Sequence, residues 1–175
     1  MKKIAQILCF FIAIISSAIV QAGSKSHCNS NEGVFFSCQL GSKFVSICTN
    51  PKGQSNEYLE YRFGTLRRVE LRYKGTSKDT PRKFSRAEIT GASNSGTTIW
   101  FLNQGTHYVL NAPVRGGPYL EVIMHGKRQL KLACKNEWAG VEGDLDAESN
   151  LIEVKTQPTF FSEVFEIDTK SNQQQ

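Results

Sequence analysis

Short runs of β-branched and aromatic residues recur at about ten-residue spacing from Val34 to Cys134, with turn-forming residues between them. That rhythm admits strands and leaves little room for helices, so it predicts an antiparallel all-β domain, a barrel or sandwich of about eight strands. Val34–Cys38 and Phe44–Cys48 are joined through Gly41-Ser42 and read as a hairpin. Leu59, Tyr61 and Phe63 alternate with Glu60 and Arg62, and Val69, Leu71 and Tyr73 alternate with Arg68, Glu70 and Arg72. Each of these strands has one apolar and one charged face, as expected where one side of a sheet meets water. Gly64–Arg67 is the turn between them. Phe84–Thr90 reads as a weaker strand. Thr97–Leu102 is apolar on both faces and reads as a doubly covered strand, turning at Asn103-Gln104-Gly105 into Thr106–Asn111. Leu120, Val122 and Met124 form the next inward row, Gly126-Lys127 the turn, and Leu130, Leu132 and Cys134 the row after it. Leu151–Val154 reads as one more strand.

The chain begins with Met1-Lys2-Lys3, followed by an apolar run from Ile4 to Val20 and the small-residue site Val20-Gln21-Ala22. This is the layout of a cleaved export signal covering residues 1–22, and the run is diluted by Gln6, Ser16 and Ser17 and too short for a membrane anchor. The mature part is expected to start at Gly23 as one β domain over 23–170 with a short acidic C-terminal extension, and a disordered tail over 171–175. No membrane span is expected after cleavage, and the expected location is the periplasm or the exterior.

Removing the leader takes away Cys9 and two lysines. Nineteen bases against sixteen acids then give a charge of +3, and Cys28, Cys38, Cys48 and Cys134 remain. An even count in an exported chain points to two disulfides, whereas gaps of nine, nine and eighty-five residues do not suit zinc. Side-chain parity puts Cys38 on one face with Val34 and Phe36, and Cys134 on one face with Leu130 and Leu132. The favoured pairing is therefore Cys38 with Cys134 and Cys28 with Cys48, the other two connectivities remaining open.

The residue inventory holds little chemistry. His27, His107 and His125 form no metal-ligand spacing and read as solvated strand or turn residues. No G-x-S-x-G nucleophile elbow occurs. Asp144, Asp146 and Glu148 alternate as in a calcium loop, but Ser149 and Lys155 stand where such a loop needs Gly and Glu, so a solvated acidic loop is expected. Nine bases between Glu60 and Arg86 face only Glu60, Glu70 and Asp79. An exported chain without an aromatic RNA platform is not expected to bind nucleic acid, so this band reads as a solvated face or as a dock for the chain's own acidic C-terminal part. There, nine acids between Glu137 and Lys170 face Lys155 and Lys170. Phe160, Phe161, Val164 and Phe165 fit one helical face in a segment too short to assign.

Without a catalytic set, the chain is expected to be no enzyme, to need no cofactor, and to work through loops on a rigid scaffold. The small-residue loops Gly91–Gly96 and Val114–Pro118 could present backbone to a partner, which marks Ser95, Gly96, Gly116 and Gly117. A carrier holding a small apolar molecule inside the barrel is the alternative, and a structural envelope protein a third.

Phe36-Ser37-Cys38, Ser95-Gly96, Ile99-Trp100-Phe101 ending at Gln104-Gly105, and Lys127–Cys134 follow one another in an order that resembles the bacterial membrane-bound inhibitor of C-type lysozyme family. The resemblance implies a small exported β-barrel that blocks a cell-wall-degrading enzyme, its partner being an envelope hydrolase or toxin. It adds Gln104 to the candidate positions, where the family carries its inhibitory Lys, while the Tyr that follows the family's Ser-Gly is absent here. An uncharacterised family of periplasmic β-proteins fits the same features.

Overall fold

The computed structural model describes residues 25–50, 57–90, 95–139 and 151–156. Eleven strands fill them, and no helix occurs among the described residues. The strands are β1 (Gly33–Leu40), β2 (Lys43–Thr49), β3 (Tyr58–Thr65), β4 (Arg68–Thr76), β5 (Phe84–Thr90), β6 (Ser95–Asn103), β7 (Thr106–Pro113), β8 (Tyr119–Met124), β9 (Lys127–Ala133), β10 (Lys135–Ala139) and β11 (Ile152–Val154). They form a five-stranded sheet in the order β10-β1-β2-β3-β4 and a six-stranded sheet in the order β11-β5-β6-β7-β8-β9. The all-β reading holds, with more strands than the spacing predicts.

Two departures from the sequence reading concern topology. The pairing is not wholly antiparallel, because β11 runs parallel to β5, with Ile152 beside Phe84. A strand that the sequence does not announce follows Cys134, where the chain changes sheets: β9 closes one edge of the six-stranded sheet, and β10 pairs with β1 in the other. Lys135–Ala139 has no alternation of its own to announce a strand.

Hairpin geometry follows local chemistry. Gln104 and Gly105 take φ of 49° and 77°, and His125 and Gly126 take 50° and 69°, the signs a two-residue primed turn needs to match strand twist. The second turn is therefore His125-Gly126, one residue earlier than the sequence suggests. Likewise β3 continues through Thr65, leaving Leu66-Arg67 as the turn.

The inner faces of the two sheets meet in one core. Phe36, Cys38, Val45, Ile47, Leu59 and Tyr61 from one sheet pack with Phe84, Ile99, Phe101, Leu110 and Leu120 from the other, all at most 4% exposed. Phe101 lies at its centre, stacked on Tyr73 (ring centroids 4.2 Å apart) and Tyr108 (5.0 Å), with Tyr61 edge-on at 4.8 Å and Phe84 at 5.4 Å. Each such ring pair adds about 0.5–1.5 kcal/mol beyond area burial. Met124 ends β8 and Leu130 lies midway along the edge strand β9, and they stay 41% and 40% exposed, so the inward rows of β8 and β9 are shorter than their alternation suggests.

Both expected disulfides form, Cys28–Cys48 and Cys38–Cys134. The parity behind them needs one correction. A register shift at Phe35 sets Val34 opposite Cys48 while Phe36 faces Ile47, so Val34 does not share the face of Phe36 and Cys38. Cys38 still points inward, opposite Val45. Two disulfides indicate an oxidising, extracytoplasmic setting.

Residues 25–32 form a strap over the outer face of the five-stranded sheet. Ser37 donates to Lys25 O (3.0 Å), His27 N donates to Ser46 Oγ (3.0 Å), and Arg62 donates to His27 O (2.8 Å). His27 is thus no solvated residue: its Nε2 lies 3.2 Å from Gly64 O and its ring meets Phe44 edge-on.

Candidate functional site

At one end of the six-stranded sheet, β6 starts, β7 ends and β8 starts, so the positions from two separate loops come together. Ser95 and Gly96 open β6, and Ser95 O accepts from Val114 N at 2.7 Å. The connection 114–118 runs beside them, with Arg115, Gly116 and Gly117 exposed and Gly116 at φ 91°. Its far end is fixed where Cys134 N donates to Pro118 O at 2.9 Å. The loop is thereby fastened to β6 on one side and, through a disulfide-bonded residue, to the sheet junction on the other. Val114 stands 75% exposed on it, the most exposed of the large apolar side chains described.

Gly96 serves close approach of backbones. A Cβ there would lie 2.6 Å from Ala112 O and 2.6 Å from Pro113 Cα, so any side chain would push β6 and β7 apart. Beside it lies a hollow of about 230 Å³ on the outer face of the sheet, bordered by Ile89, Ser95, Asn111, Pro113 and Tyr119.

Gln104 is not part of this group. It lies at the opposite end of the nine-residue β6, a separation of roughly 27 Å along an antiparallel strand. It is exposed, and its side chain leaves a left-handed backbone position in the turn. The five sequence-marked positions thus divide into Ser95, Gly96, Gly116 and Gly117 at one end and Gln104 at the other. Residues 91–94 of the first loop lie outside the described residues, as do the expected export signal over 1–22, most of the Asp144–Lys155 stretch, Phe160–Phe165 and the 171–175 tail.

Below the hollow runs a buried polar chain that the sequence reading did not single out. Thr98 Oγ1 donates to Asn111 Oδ1 (2.8 Å), Asn111 Nδ2 donates to Glu121 Oε2 (3.2 Å), and Arg128 Nε lies 2.6 Å from Glu121 Oε1. Thr98, Asn111 and Glu121 are 0%, 3% and 1% exposed. The available signal was polar residues at the same alternate position of three successive apolar strands, opposite the core-facing row.

A second concavity, about 400 Å³, lies between the 77–83 loop and the other end of β6 and β7, with Tyr73, Asp79, Arg82, Lys83, Leu102 and His107 on its walls. Much of its charge holds the loop. Asp79 accepts from Thr76 N (2.6 Å) and Thr76 Oγ1 (3.1 Å), and this backbone bond first of all keeps its carboxyl below the usual range. Arg82 donates to Ser77 O and Asp79 O. Among the described residues no group of three metal-ligating side chains occurs.

No family model matches the chain, and no curated protein or solved structure matches it. What the molecule offers a partner is therefore read from its own surfaces. The end carrying Ser95 and 114–118 combines anchored backbone, exposed peptide groups and a displayed apolar side chain.

Proposed function

We propose that this protein is an exported, periplasmic protein-binding module of the inhibitor or immunity type, which blocks a cell-envelope hydrolase or toxin with the 114–118 loop. The observation that carries this reading is Val114, exposed on a loop that is hydrogen-bonded at both ends to a disulfide-braced scaffold. A preorganised loop loses little conformational freedom on binding, and a projecting apolar side chain is what a partner's pocket can desolvate. The order of sequence motifs from Phe36-Ser37-Cys38 to Lys127–Cys134, which resembles that of the lysozyme-inhibitor family, supports the same class of partner. Gln104, in the place of that family's inhibitory Lys, lies at the other end of β6, so in this chain the contact is assigned to the 114–118 end.

The carrier alternative has less support. It needs space between the sheets, and there Tyr61, Tyr73, Phe84, Phe101 and Tyr108 already fill the middle in ring-to-ring contact.

The test is a binding panel of lysozymes, amidases and lipases against the purified chain from Gly23. At least one enzyme is expected to be bound and inhibited. Val114→Asp is expected to weaken that complex by about tenfold or more, the equivalent of about 1.4 kcal/mol, with the thermal midpoint unchanged. Absence of binding across the panel would overturn the inhibitor reading; binding that is indifferent to Val114→Asp would remove the loop from it.

A further inference from the structure

The cleft of about 400 Å³ between the 77–83 loop and the Leu102 end of β6 has the size of a small-molecule site, about 300–1,000 Å³. It lies at the opposite end of β6 from Ser95 and the 114–118 loop, so it takes no part in the reading above. Its walls differ in character. On one side Tyr73, stacked on Phe101 with ring centroids 4.2 Å apart, and the 51%-exposed Leu102 make an apolar surface. On the other stands the 77–83 loop, with Lys78, Arg82 and Lys83 against the single acid Asp79. Its own bonds hold this loop in place. Asp79 N donates to Thr76 O (3.2 Å), Thr76 N donates back to Asp79 Oδ2 (2.6 Å), and Lys83 Nζ lies 3.5 Å from Asp79 Oδ1. The Asp79 carboxylate is thereby neutralised within the loop. Arg82 is fixed by the same loop, because Nη1 donates to Ser77 O and, at 3.0 Å, to Asp79 O. Its Nη2 and Nε have no partner among the described residues, and neither do the hydroxyls of Thr80 and Ser85, which line the same cleft.

We propose that this cleft binds a small organic anion, a carboxylate or phosphate monoester carried on a ring or short apolar body. The charge on Arg82 is the central point. Arg62 has its guanidinium closed on the carboxylates of Glu32 and Glu60. Arg82 is bonded to backbone carbonyls, which carry no net charge, so its own charge is left uncompensated. A guanidinium anchored through one nitrogen presents the other two in a plane, the fork that matches two oxygens of one anionic group. Because the anchoring precedes binding, little side-chain freedom is lost when the anion arrives. The hydroxyls of Thr80 and Ser85 supply donors for further oxygens. Tyr73 and Leu102 give the ligand's body an apolar bed. An uncharged ligand of the same shape would take water from the guanidinium without replacing it by a counter-charge, so the cleft discriminates in favour of the anion. A cation is repelled by Lys78, Arg82 and Lys83.

The experiment uses Trp100, which borders the cleft, as reporter. The chain has two tryptophans, Trp100 and Trp138, so Trp138→Phe leaves one. This variant is titrated with N-acetylphenylalanine, with phenyl phosphate and with the uncharged N-acetylphenylalaninamide, by Trp100 emission and by calorimetry. At least one of the two anions is expected to bind saturably and about tenfold or more tightly than the amide, and the better of the two separates a carboxylate ligand from a phosphate ligand. Arg82→Gln is expected to weaken that anion about tenfold or more. Leu102→Glu places a like charge on the exposed rim and is expected to weaken it as well, with Leu102→Gln as the uncharged control. Equal binding of anion and amide, or no saturable binding of either anion, would overturn the proposal. Should Arg82→Gln loosen the loop, seen as a lower thermal midpoint, the pair at Leu102 decides: weaker binding by Leu102→Glu than by Leu102→Gln supports the proposal, and equal binding overturns it.

Discussion

Arg62 meets Glu32 through two parallel hydrogen bonds, Nη1 to Oε2 at 2.6 Å and Nη2 to Oε1 at 2.7 Å, joining the third strand to a strap 30 residues earlier. Both side chains are nearly inaccessible, 5% and 6% exposed. Arg62 also donates to Glu60, which takes a further ion pair from Arg72 at 3.2 Å, and the Tyr58 hydroxyl donates to Glu32. Each charge in this network has a partner, which is the condition for holding ions away from water.

The network makes stability depend on acid. Burial pushes the Glu32 carboxyl up, but hydrogen bonds from Arg62, Tyr58 and the Asn29 N–H outweigh it and bring its pKa down to about 2 from 4.5. A carboxylate with a depressed folded pKa contributes stability that is complete above its unfolded value and is lost as pH falls through the folded one. The wild-type thermal midpoint should therefore fall between about pH 4.5 and pH 2 by an amount worth about 3 kcal/mol. Glu32→Gln should start lower at pH 7 and lose less across that window, the loss that remains including the share of the Asp79 carboxyl. Thermal denaturation as a function of pH checks both curves.

The two disulfides should differ in weight. Cys38–Cys134 closes 96 residues and Cys28–Cys48 closes 20. On the chain-entropy model the longer loop contributes about 4.7 kcal/mol and the shorter about 3 kcal/mol. Cys38→Ala with Cys134→Ala should lower urea-unfolding stability more than Cys28→Ala with Cys48→Ala. The shorter link should also be the one whose loss leaves the β9–β10 junction in place, read as unchanged amide-exchange protection there.

Gly96→Ala should cost about 1–3 kcal/mol, because its methyl group would press on the backbone of Ala112 and Pro113, which cannot rotate away. Gly117→Ala meets nothing within 4 Å and should stay within about 0.5 kcal/mol of wild type. Chemical denaturation of the two variants separates a packing requirement from a general need for glycine in the loops.

Arg128→Met should destabilise by about 2 kcal/mol, since it leaves the 1%-exposed Glu121 carboxylate without its cation. Adding Glu121→Gln should recover most of that loss by removing the uncompensated charge while Asn111 stays in reach. A double-mutant cycle in urea measures the coupling.

Phe101 illustrates what alternation reveals and where it stops. Its place in Ile99-Trp100-Phe101 marks a strand apolar on both faces, and both faces are buried, Phe101 in the aromatic core and Trp100 in a second cluster with Ala87, Val109 and Ile123. The same alternation cannot see the extra residue at Phe35, because a bulge changes parity without changing composition, and Val34 was misplaced for that reason. Lys135–Ala139 became a strand because Cys134 delivers it to the open edge of β1, a cause outside the segment. No local signal joins Ser95 to Gly116, which the bond from Val114 N to Ser95 O brings together, whereas Gln104, close to Ser95 along the chain, is carried to the far end of the sheet by β6.

By itself the sequence determined the all-β class, most strand positions, the hairpin turns at Gln104-Gly105 and near Gly126, and which cysteines point inward. These depend on a two-residue period and on local backbone preference, both written within a few neighbouring residues. Tertiary structure alone decided the division into two sheets, the parallel β11, the strap locked by Arg62 and Glu32, and the grouping of Ser95 with the 114–118 loop. Those are contacts between segments 19 to 68 residues apart, and their geometry is fixed when buried charges and apolar faces must be satisfied together, a condition no single stretch of chain contains.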